Sequence, residues 1–161
     1  MYSFRRRQLL AAFSASWLSV ALNNMAHAAT RVLPTSTSLK TDIEAALKAS
    51  KPLVVLVSLD NCPFCKIARE NYLIPLMIER AISVIQVNTN HATPIDDARG
   101  KPTTHEQLIR AWAIKVTPTV LFLGKNGREV APRLEGGSTS DFYGAYLDER
   151  LRMAQSAVAS S

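Results

Sequence analysis

From residue 38 onward, hydrophobic residues follow a helical spacing, then a strand-like run, then a helical spacing again. Apolar side chains three or four positions apart predict an amphipathic helix at about residues 38–49. A continuous, largely β-branched apolar run at 53–59 predicts a central strand covered on both faces. Helical spacing resumes after Cys62, and Pro75 lacks the N–H needed to continue that helix, so we expect a kink or an end near Ile74.

The second half of the chain continues this alternation. The predicted elements are a strand at 82–87, a polar connection at 88–105, a helix capped by Thr104, strands at 119–123 and 128–134 joined by a turn at 124–127, and a terminal helix. The terminal helix is expected to be capped by Ser138, Thr139 or Ser140 and to bury Phe142, Tyr146, Leu147 and Leu151. Pro132 favours an edge position for the fourth strand.

The connection at 88–105 is longer than most loops and is a candidate functional segment. We expect a flexible arm at 29–37, a single domain at 38–154 and a disordered tail at 155–161.

The first 28 residues have the pattern of an export signal. Three arginines at 5–7 precede an apolar run at 9–22, and the small-residue pattern Ala26-His27-Ala28 follows. This order is typical of a secretory signal peptide, so we expect cleavage after Ala28 and a periplasmic protein. An uncleaved anchor is the weaker alternative, because the run is shorter than the roughly 18 residues of a spanning helix. The arginines also suit the twin-arginine route, so the general secretory and twin-arginine routes both stay open.

Composition and charge exclude several classes of protein. The chain has 161 residues, of which 47% are hydrophobic and 20% charged, as in one globular domain rather than collagen, a low-complexity chain or a polytopic membrane protein. Its formal net charge is +6, but the signal carries three of the 19 basic residues and none of the 13 acidic ones. The mature chain therefore has a net charge of about +3, which argues against a nucleic-acid partner. No membrane span is expected after cleavage.

The chemistry of the chain is concentrated in Cys62-Pro63-Phe64-Cys65. These are the only two cysteines, and they stand where a predicted strand turns into a predicted helix. Unpaired N–H groups and the helix dipole at a helix N-terminus favour a thiolate over a thiol. Cys62 is expected to be the more exposed and more acidic thiol and thus the nucleophile. Cys65, one turn later, is placed to resolve a mixed disulfide formed by Cys62.

Three other interpretations of the cysteine pair are weaker. A structural disulfide across two residues would close a very small loop and add little stability. Haem attachment needs a histidine after the second cysteine, where this chain has Lys66. A metal site would need His91 or His105, but their spacing from the cysteines fits no zinc pattern, and both are expected to be ordinary surface histidines.

A second motif, Val116-Thr117-Pro118-Thr119, precedes the third predicted strand. Combined with the upstream Cys-x-x-Cys and the order of elements, it resembles the thioredoxin-like superfamily over about residues 38–151. The chain is most similar to exported bacterial thioredoxin-like proteins, including those associated with periplasmic sulfur oxidation. The resemblance implies a thioredoxin-like α/β fold, in which a central mixed four-stranded sheet is flanked by helices.

The resemblance also implies roles for the residues around the cysteines. Pro118 would be in a cis peptide and face the Cys62 sulfur, and the Thr117 backbone would pair with an extended substrate strand. With Pro63 and Phe64 these are the expected substrate-binding residues. One departure concerns Leu56, which stands six residues before the first cysteine, where thioredoxins usually have a buried acid. Asp60 is nearer but is expected to be a solvated charge.

These observations predict a periplasmic thiol-disulfide oxidoreductase that reduces disulfides in exported proteins. It would need no cofactor beyond a redox-active disulfide between Cys62 and Cys65, and no metal. We expect it to act as a monomer and to be reduced by a membrane electron donor. A disulfide oxidase or isomerase is the alternative within this class. A module that binds or delivers copper through the two thiolates is the alternative from another class.

Overall fold

Helices and strands alternate through residues 32–137 and 142–161, the part of the chain that this computed structural model describes. The helices are α1 Leu39–Lys48, α2 Pro63–Ile67, α3 Ile74–Arg80, α4 His105–Ala111 and α5 Tyr143–Ala159. The strands are β1 Leu53–Ser58, β2 Val84–Asn88, β3 Pro94–Asp96, β4 Pro102–Thr104, β5 Thr119–Leu123 and β6 Leu134–Glu135. The predicted signal peptide at 1–28 and the predicted caps Ser138, Thr139 and Ser140 lie outside the described residues.

The central sheet has four strands in the order β2-β1-β5-β6. β1 runs parallel to β2 and antiparallel to β5, and β6 pairs antiparallel with β5. Every residue of β1 is buried, because helices cover both faces of the sheet. Its side chains alternate between two cores: Leu56 packs on the face of α3 and α5, and Val57 packs on the face of α1 and α4. The predicted mixed four-stranded sheet flanked by helices is confirmed.

The helix that follows Cys62 is interrupted, as Pro75 predicts. α2 passes into a π-helical turn at Ala68–Leu73, in which the Ile74 N–H donates to the Arg69 carbonyl. α3 then begins at Ile74, so the missing N–H of Pro75 falls in the first turn of a helix, where it leaves no bond unmade. The kink or end expected near Ile74 thus corresponds to the change from the π-helical turn to α3 at that residue.

The segment predicted as a flexible arm at 29–37 is packed where the structure describes it. Leu33 is only 2% exposed and belongs to the core under α3 and α5. Thr35 pairs in parallel with Gln86 of β2, and the Gln86 N–H donates to the Pro34 carbonyl at 2.8 Å. The prediction was wrong here because β2 is an edge strand, and its open backbone groups hold a segment whose composition alone suggests a linker.

The fourth strand is shorter than the predicted 128–134. The Val130 N–H still donates to the Phe122 carbonyl of β5 at 2.9 Å, but regular pairing resumes only at Leu134–Glu135. Pro132 lies between these two contacts and has no N–H to donate, so the ladder is interrupted there. The position at the edge of the sheet, which Pro132 predicted, is confirmed.

The terminal helix buries a different face from the predicted one. Phe142 and Tyr146 were expected to point inward, but they are 65% and 48% exposed. The predicted burial of Leu147 and Leu151 is confirmed, and the buried face of α5 consists of Tyr143, Leu147, Leu151 and Ala154. The helix also continues to Ala159, so the disordered tail predicted at 155–161 is wrong for most of that segment.

The connection at 88–105 is partly ordered into a small hairpin of β3 and β4. Thr104 caps α4 as predicted, since its side chain accepts a hydrogen bond from the Gln107 N–H.

Within residues 32–137 and 142–161, no helix has the length and apolar character required to cross a bilayer.

His105, predicted to be a surface residue, is fully buried at the start of α4. Its Nδ1 accepts from the Asn88 N–H at 3.2 Å, so its Nε2 carries the proton and faces the Ser36 carbonyl at 3.4 Å. Burial, together with the nearby His91, lowers the pKa of His105 although the Ser36 carbonyl opposes this. The neutral ring thus connects the end of β2, the N-terminal segment and α4.

The buried His105 predicts that the protein loses stability on acidification. Its pKa is lower in the folded state than the ordinary value of about 6.5, so the unfolded chain binds more protons as the pH falls through that value. The contribution of His105 to the free energy of unfolding should therefore be level above about pH 6.5 and decline below it. Urea unfolding at about pH 7 and about pH 5 measures this decline.

The matched variant is His105→Gln, which cannot titrate in this range. It should be less stable than the wild type at neutral pH, but its stability should fall less between the two pH values. An equal fall in both proteins would contradict a role for His105 in the pH dependence.

Candidate functional site

Cys62 occupies the N-cap position of α2, directly after β1 and a short turn. Its backbone is extended, and Pro63 follows at the first helical position, where its missing N–H costs nothing. The Cys62 Sγ accepts a hydrogen bond from the Cys65 N–H at 3.2 Å. The thiol therefore takes the place of the polar side chain that usually caps a helix, and it meets the positive end of the helix dipole.

The two thiols have opposite electrostatic environments. Partial burial raises the pKa of Cys62, but hydrogen bonds from Cys65, from the Phe64 N–H and from the Thr117 hydroxyl outweigh it, so the pKa lies below the ordinary value. Cys65 is only 1% exposed, and burial is the main cause that raises its pKa, followed by its hydrogen bond to Cys62. Of the two thiols, Cys62 is thus the more readily ionised and Cys65 the less readily ionised, as the sequence predicts.

Thr117 and Pro118 lie beside the cysteines, and the peptide bond between them is cis as predicted. The Thr117 hydroxyl is the smallest of the groups that lower the pKa of Cys62 and oppose the rise in the pKa of Cys65. Pro118 and Phe64 face each other across Gly137, which follows β6. Phe64 is 44% exposed and Pro63 is also exposed, so both are accessible at the edge of the site. The structure therefore brings all six predicted site residues into one region.

Gly137 is a contact that the sequence did not indicate. A Cβ at this position would lie 2.4 Å from the Phe64 Cβ and 3.2 Å from the Pro118 Cδ. The backbone of residue 137 must therefore approach the helix start and the Pro118 loop more closely than any side chain allows.

The variant Gly137→Ala is expected to force Phe64 and Pro118 apart. Overpacking of this kind costs about 1–3 kcal/mol of stability. Because the Thr117 hydroxyl then moves away from Cys62, the pKa of Cys62 should rise toward its ordinary value. The pH dependence of alkylation by iodoacetamide measures that pKa.

Gly136→Ala is the comparison variant for this test. A Cβ on Gly136 meets no atom within 4 Å, although the φ of +80° makes the substitution locally strained. It should reduce stability but leave the alkylation profile unchanged. If both variants shifted the profile equally, the contact with Phe64 and Pro118 would not be the cause.

Ser58 and Leu56 lie on the same face of β1. Leu56 is completely buried among apolar side chains, so the position where an acid would be expected provides no proton acceptor. Ser58, two residues later on the same face, is 2% exposed; burial raises the pKa of Cys65, and the Leu59 N–H, followed by the Ser58 hydroxyl, opposes this rise. Sequence reasoning missed Ser58, although the period of two along a strand places residues 56 and 58 on one face.

A cleft of about 390 Å³ opens next to Cys62. Asp60 lies in it and is hydrogen-bonded to His91, whose Nε2 is 2.8 Å from the Asp60 Oδ2. Asp60 is exposed, as predicted, but its carboxylate also has a hydrogen-bond partner. The residues that line this cleft are Ser58, Leu59, Asp60, Asn61, Cys62, Pro63, Lys66 and Arg69.

Across residues 32–137 and 142–161, no three His, Cys, Asp or Glu side chains lie close enough together to hold a metal ion.

Comparison with known proteins identifies the family. A family model described as a thioredoxin-like domain matches residues 39–150. The chain belongs to the thioredoxin-like domain family. The match includes both cysteines, Thr117 and Pro118, so this thioredoxin-like protein has its candidate site inside the family region. Family membership supports a function of the thiol-disulfide oxidoreductase type and protein thiols as substrates.

Solved structures with a similar fold come from several organisms. They include Trxlp from Edwardsiella tarda EIB202, with 25% sequence identity, coverage of 73% of this chain and 95% of that chain, and a TM-score of 0.47. Mitochondrial thioredoxin 3 from Saccharomyces cerevisiae in the oxidized form has 15% identity, coverage of 74% and 93%, and a TM-score of 0.49. Thioredoxin f2 from Chlamydomonas reinhardtii has 23% identity, coverage of 71% and 94%, and a TM-score of 0.48. Comparison with curated protein sequences gives no match.

Proposed function

We propose that this thioredoxin-like protein is a periplasmic thiol-disulfide oxidoreductase that reduces disulfides in exported proteins. One observation carries the proposal: two thiols at one helix start, with the pKa of the exposed Cys62 lowered and that of the buried Cys65 raised. This is the division of properties that a nucleophile and a resolving thiol need. The export signal pattern at 1–28 supports the periplasmic location.

In the first step, Cys62 attacks the substrate. An extended substrate segment lies along the Thr117 backbone, next to Phe64 and Pro118, and presents its disulfide to the Cys62 thiolate. A bond forms between the Cys62 Sγ and one substrate sulfur while the substrate disulfide breaks. The second substrate sulfur leaves as a thiolate and takes up a proton from solvent.

In the second step, Cys65 resolves the mixed disulfide. The Cys65 thiol loses its proton and attacks the Cys62 Sγ, so the Cys62–Cys65 disulfide forms and the bond to the substrate breaks. The substrate gains two electrons and two protons overall, and the protein ends as a redox-active disulfide without a further cofactor. A membrane electron donor returns two electrons for the next cycle.

The direction of the reaction is tested by the reduction potential of the Cys62/Cys65 pair. Known dithiol proteins span roughly −270 to −120 mV, and a reductase belongs near the negative end. Equilibration of the protein with defined ratios of reduced and oxidised glutathione, followed by quantification of the free thiols, measures the potential. A potential near −120 mV would instead identify a disulfide oxidase.

A further inference from the structure

The cleft beside Cys62 lies beyond the carboxyl ends of two parallel strands. β1 ends at Ser58 and β2 ends at Asn88, and these two residues pair directly in the sheet. The cleft begins at Ser58 and continues over the turn that leads to Cys62 and the helix after it. Open α/β sheets commonly bind ligands in the crevice at this end of their strands. Thr117 and Pro118 lie outside its lining, so the cleft is a second contact area next to the proposed path of the substrate segment.

The charged side chains of this cleft are two cations and one carboxylate. The cations are Lys66 on α2 and Arg69 in the π-helical turn, and the carboxylate belongs to Asp60. The Asp60 Oδ2 already accepts a hydrogen bond from the His91 ring at 2.8 Å. In the described part of the chain, no ion pair includes Lys66 or Arg69. The cleft therefore has an excess of positive charge, which attracts a negatively charged group.

Arg69 is held in place at the wall of the cleft. The residue is half-buried, and its Nη1 donates to the Gln86 Oε1 on β2 at 3.1 Å. The Gln86 side chain is itself anchored, because its Nε2 donates to the Asn88 Oδ1 at 2.6 Å. A guanidinium has five N–H donors in a planar fork, and Gln86 accepts from one of them. The others suit a carboxylate, which pairs with guanidinium through two parallel hydrogen bonds.

We propose that this cleft is a subsite for an acidic residue of the substrate, and that Lys66 and Arg69 make the protein prefer disulfides flanked by aspartate or glutamate. The inference rests on the proposed function and specifies its substrate class. The acidic side chain accepts hydrogen bonds from Arg69 and is attracted by Lys66 while the neighbouring substrate disulfide meets the Cys62 Sγ. The cleft, at about 390 Å³, is at the small end of the range for ligand pockets of roughly 300–1,000 Å³, which suits one or two residues of a peptide. No bond forms or breaks in the cleft, so the electron balance of the disulfide exchange is unchanged.

The test compares three short peptide disulfides as substrates of the reduced protein. Each consists of two identical peptides joined by one disulfide, and both neighbours of the cysteine are glutamate, glutamine or lysine. Acid quenching and chromatography of the released peptide thiol give a second-order rate constant, which is divided by that of the same peptide with dithiothreitol to remove the peptide's own reactivity. For the wild type, we expect the glutamate peptide to react about fivefold faster than the glutamine peptide, and the lysine peptide about fivefold slower.

Variants of the two cations should remove this preference in steps. Arg69→Gln should reduce the preference for glutamate over glutamine to about twofold, and the double variant Lys66→Gln/Arg69→Gln should abolish it. Because each preference is a ratio measured on one protein, any change in the reactivity of Cys62 itself cancels.

Lys125→Gln is the matched control, since it also removes one positive charge. Lys125 is exposed and lies just after β5, at the end of the sheet opposite the cleft, because Leu123 of β5 pairs with Leu53 at the start of β1. At this distance its charge is screened by salt, so the variant should keep a preference of about fivefold.

Two results would overturn the acidic subsite: equal normalised rates for the glutamate and glutamine peptides with the wild type, or an equal loss of preference in Lys125→Gln and Arg69→Gln. Oxidised glutathione carries carboxylates on a small molecule and distinguishes the source of the charge. If Arg69→Gln slowed only its reduction and left the peptide preference unchanged, the cleft would recognise a small disulfide rather than a peptide, and the proposal would be wrong. A reduced wild-type protein that reacted with none of the three peptides would overturn the proposed function itself.

Discussion

Replacing Cys62 with serine is expected to abolish the reduction of protein disulfides. A serine hydroxyl is not ionised at neutral pH, and Cys65 cannot substitute for Cys62 because it is buried and its pKa is raised. The rate should fall by about three orders of magnitude or more, to the uncatalysed background. The reduction of insulin by dithiothreitol, followed as turbidity from the released chains, measures this loss.

Cys65→Ser supplies the complementary result. Cys62 still attacks, but no second thiol resolves the product, so a mixed disulfide accumulates in a one-to-one ratio. Mass spectrometry under non-reducing conditions detects this adduct. A Cys62→Ser protein that reduced insulin at the wild-type rate would refute the assignment of the nucleophile.

The variant Phe122→Ala is expected to cause a large loss of stability. Phe122 is completely buried in β5, opposite Val54 of β1, and packs in the core under α3 and α5. Truncation of a buried phenylalanine removes its transfer free energy and leaves a cavity, which together cost about 3–5 kcal/mol. Urea unfolding monitored by circular dichroism measures the change.

Phe142→Ala is the matched control for Phe122→Ala, because the same side chain is removed from a position that is 65% exposed. Its effect should stay within about 0.5 kcal/mol. Equal losses in both variants would contradict the burial of Phe122.

The central strands and the cysteine site could be predicted from the sequence because their signals are local. The run at 53–59 and the segment 119–123 are continuous and apolar, and each is confirmed to within a residue as β1 and β5. The placement of Cys62 and Cys65 at a helix start depends only on the order of one strand and one helix. Pro75 and Pro132 likewise act through a single missing N–H, so the interruptions they cause lie near the positions they indicate.

The errors have a different origin, since they concern residues whose partners are distant in sequence. His105 is buried because the Asn88 N–H and the Ser36 carbonyl satisfy its two nitrogens, and neither contact is visible in the surrounding sequence. At the start of α5, Phe142 and Tyr143 are adjacent aromatic residues, so helical spacing alone does not indicate which of them is buried. Packing against Tyr72, with ring centroids 4.9 Å apart, places Tyr143 inside.

The N-terminal segment that pairs with β2 also bears on how the protein behaves at high concentration. A long unpaired edge strand is a template for intermolecular pairing and aggregation. At one edge of this sheet Thr35 covers the middle of β2, and at the other edge β6 has only two residues and follows Pro132. Shortening the chain beyond Leu33 would expose Gln86 and its neighbours, so the residues just after the expected cleavage site protect the folded domain from self-association.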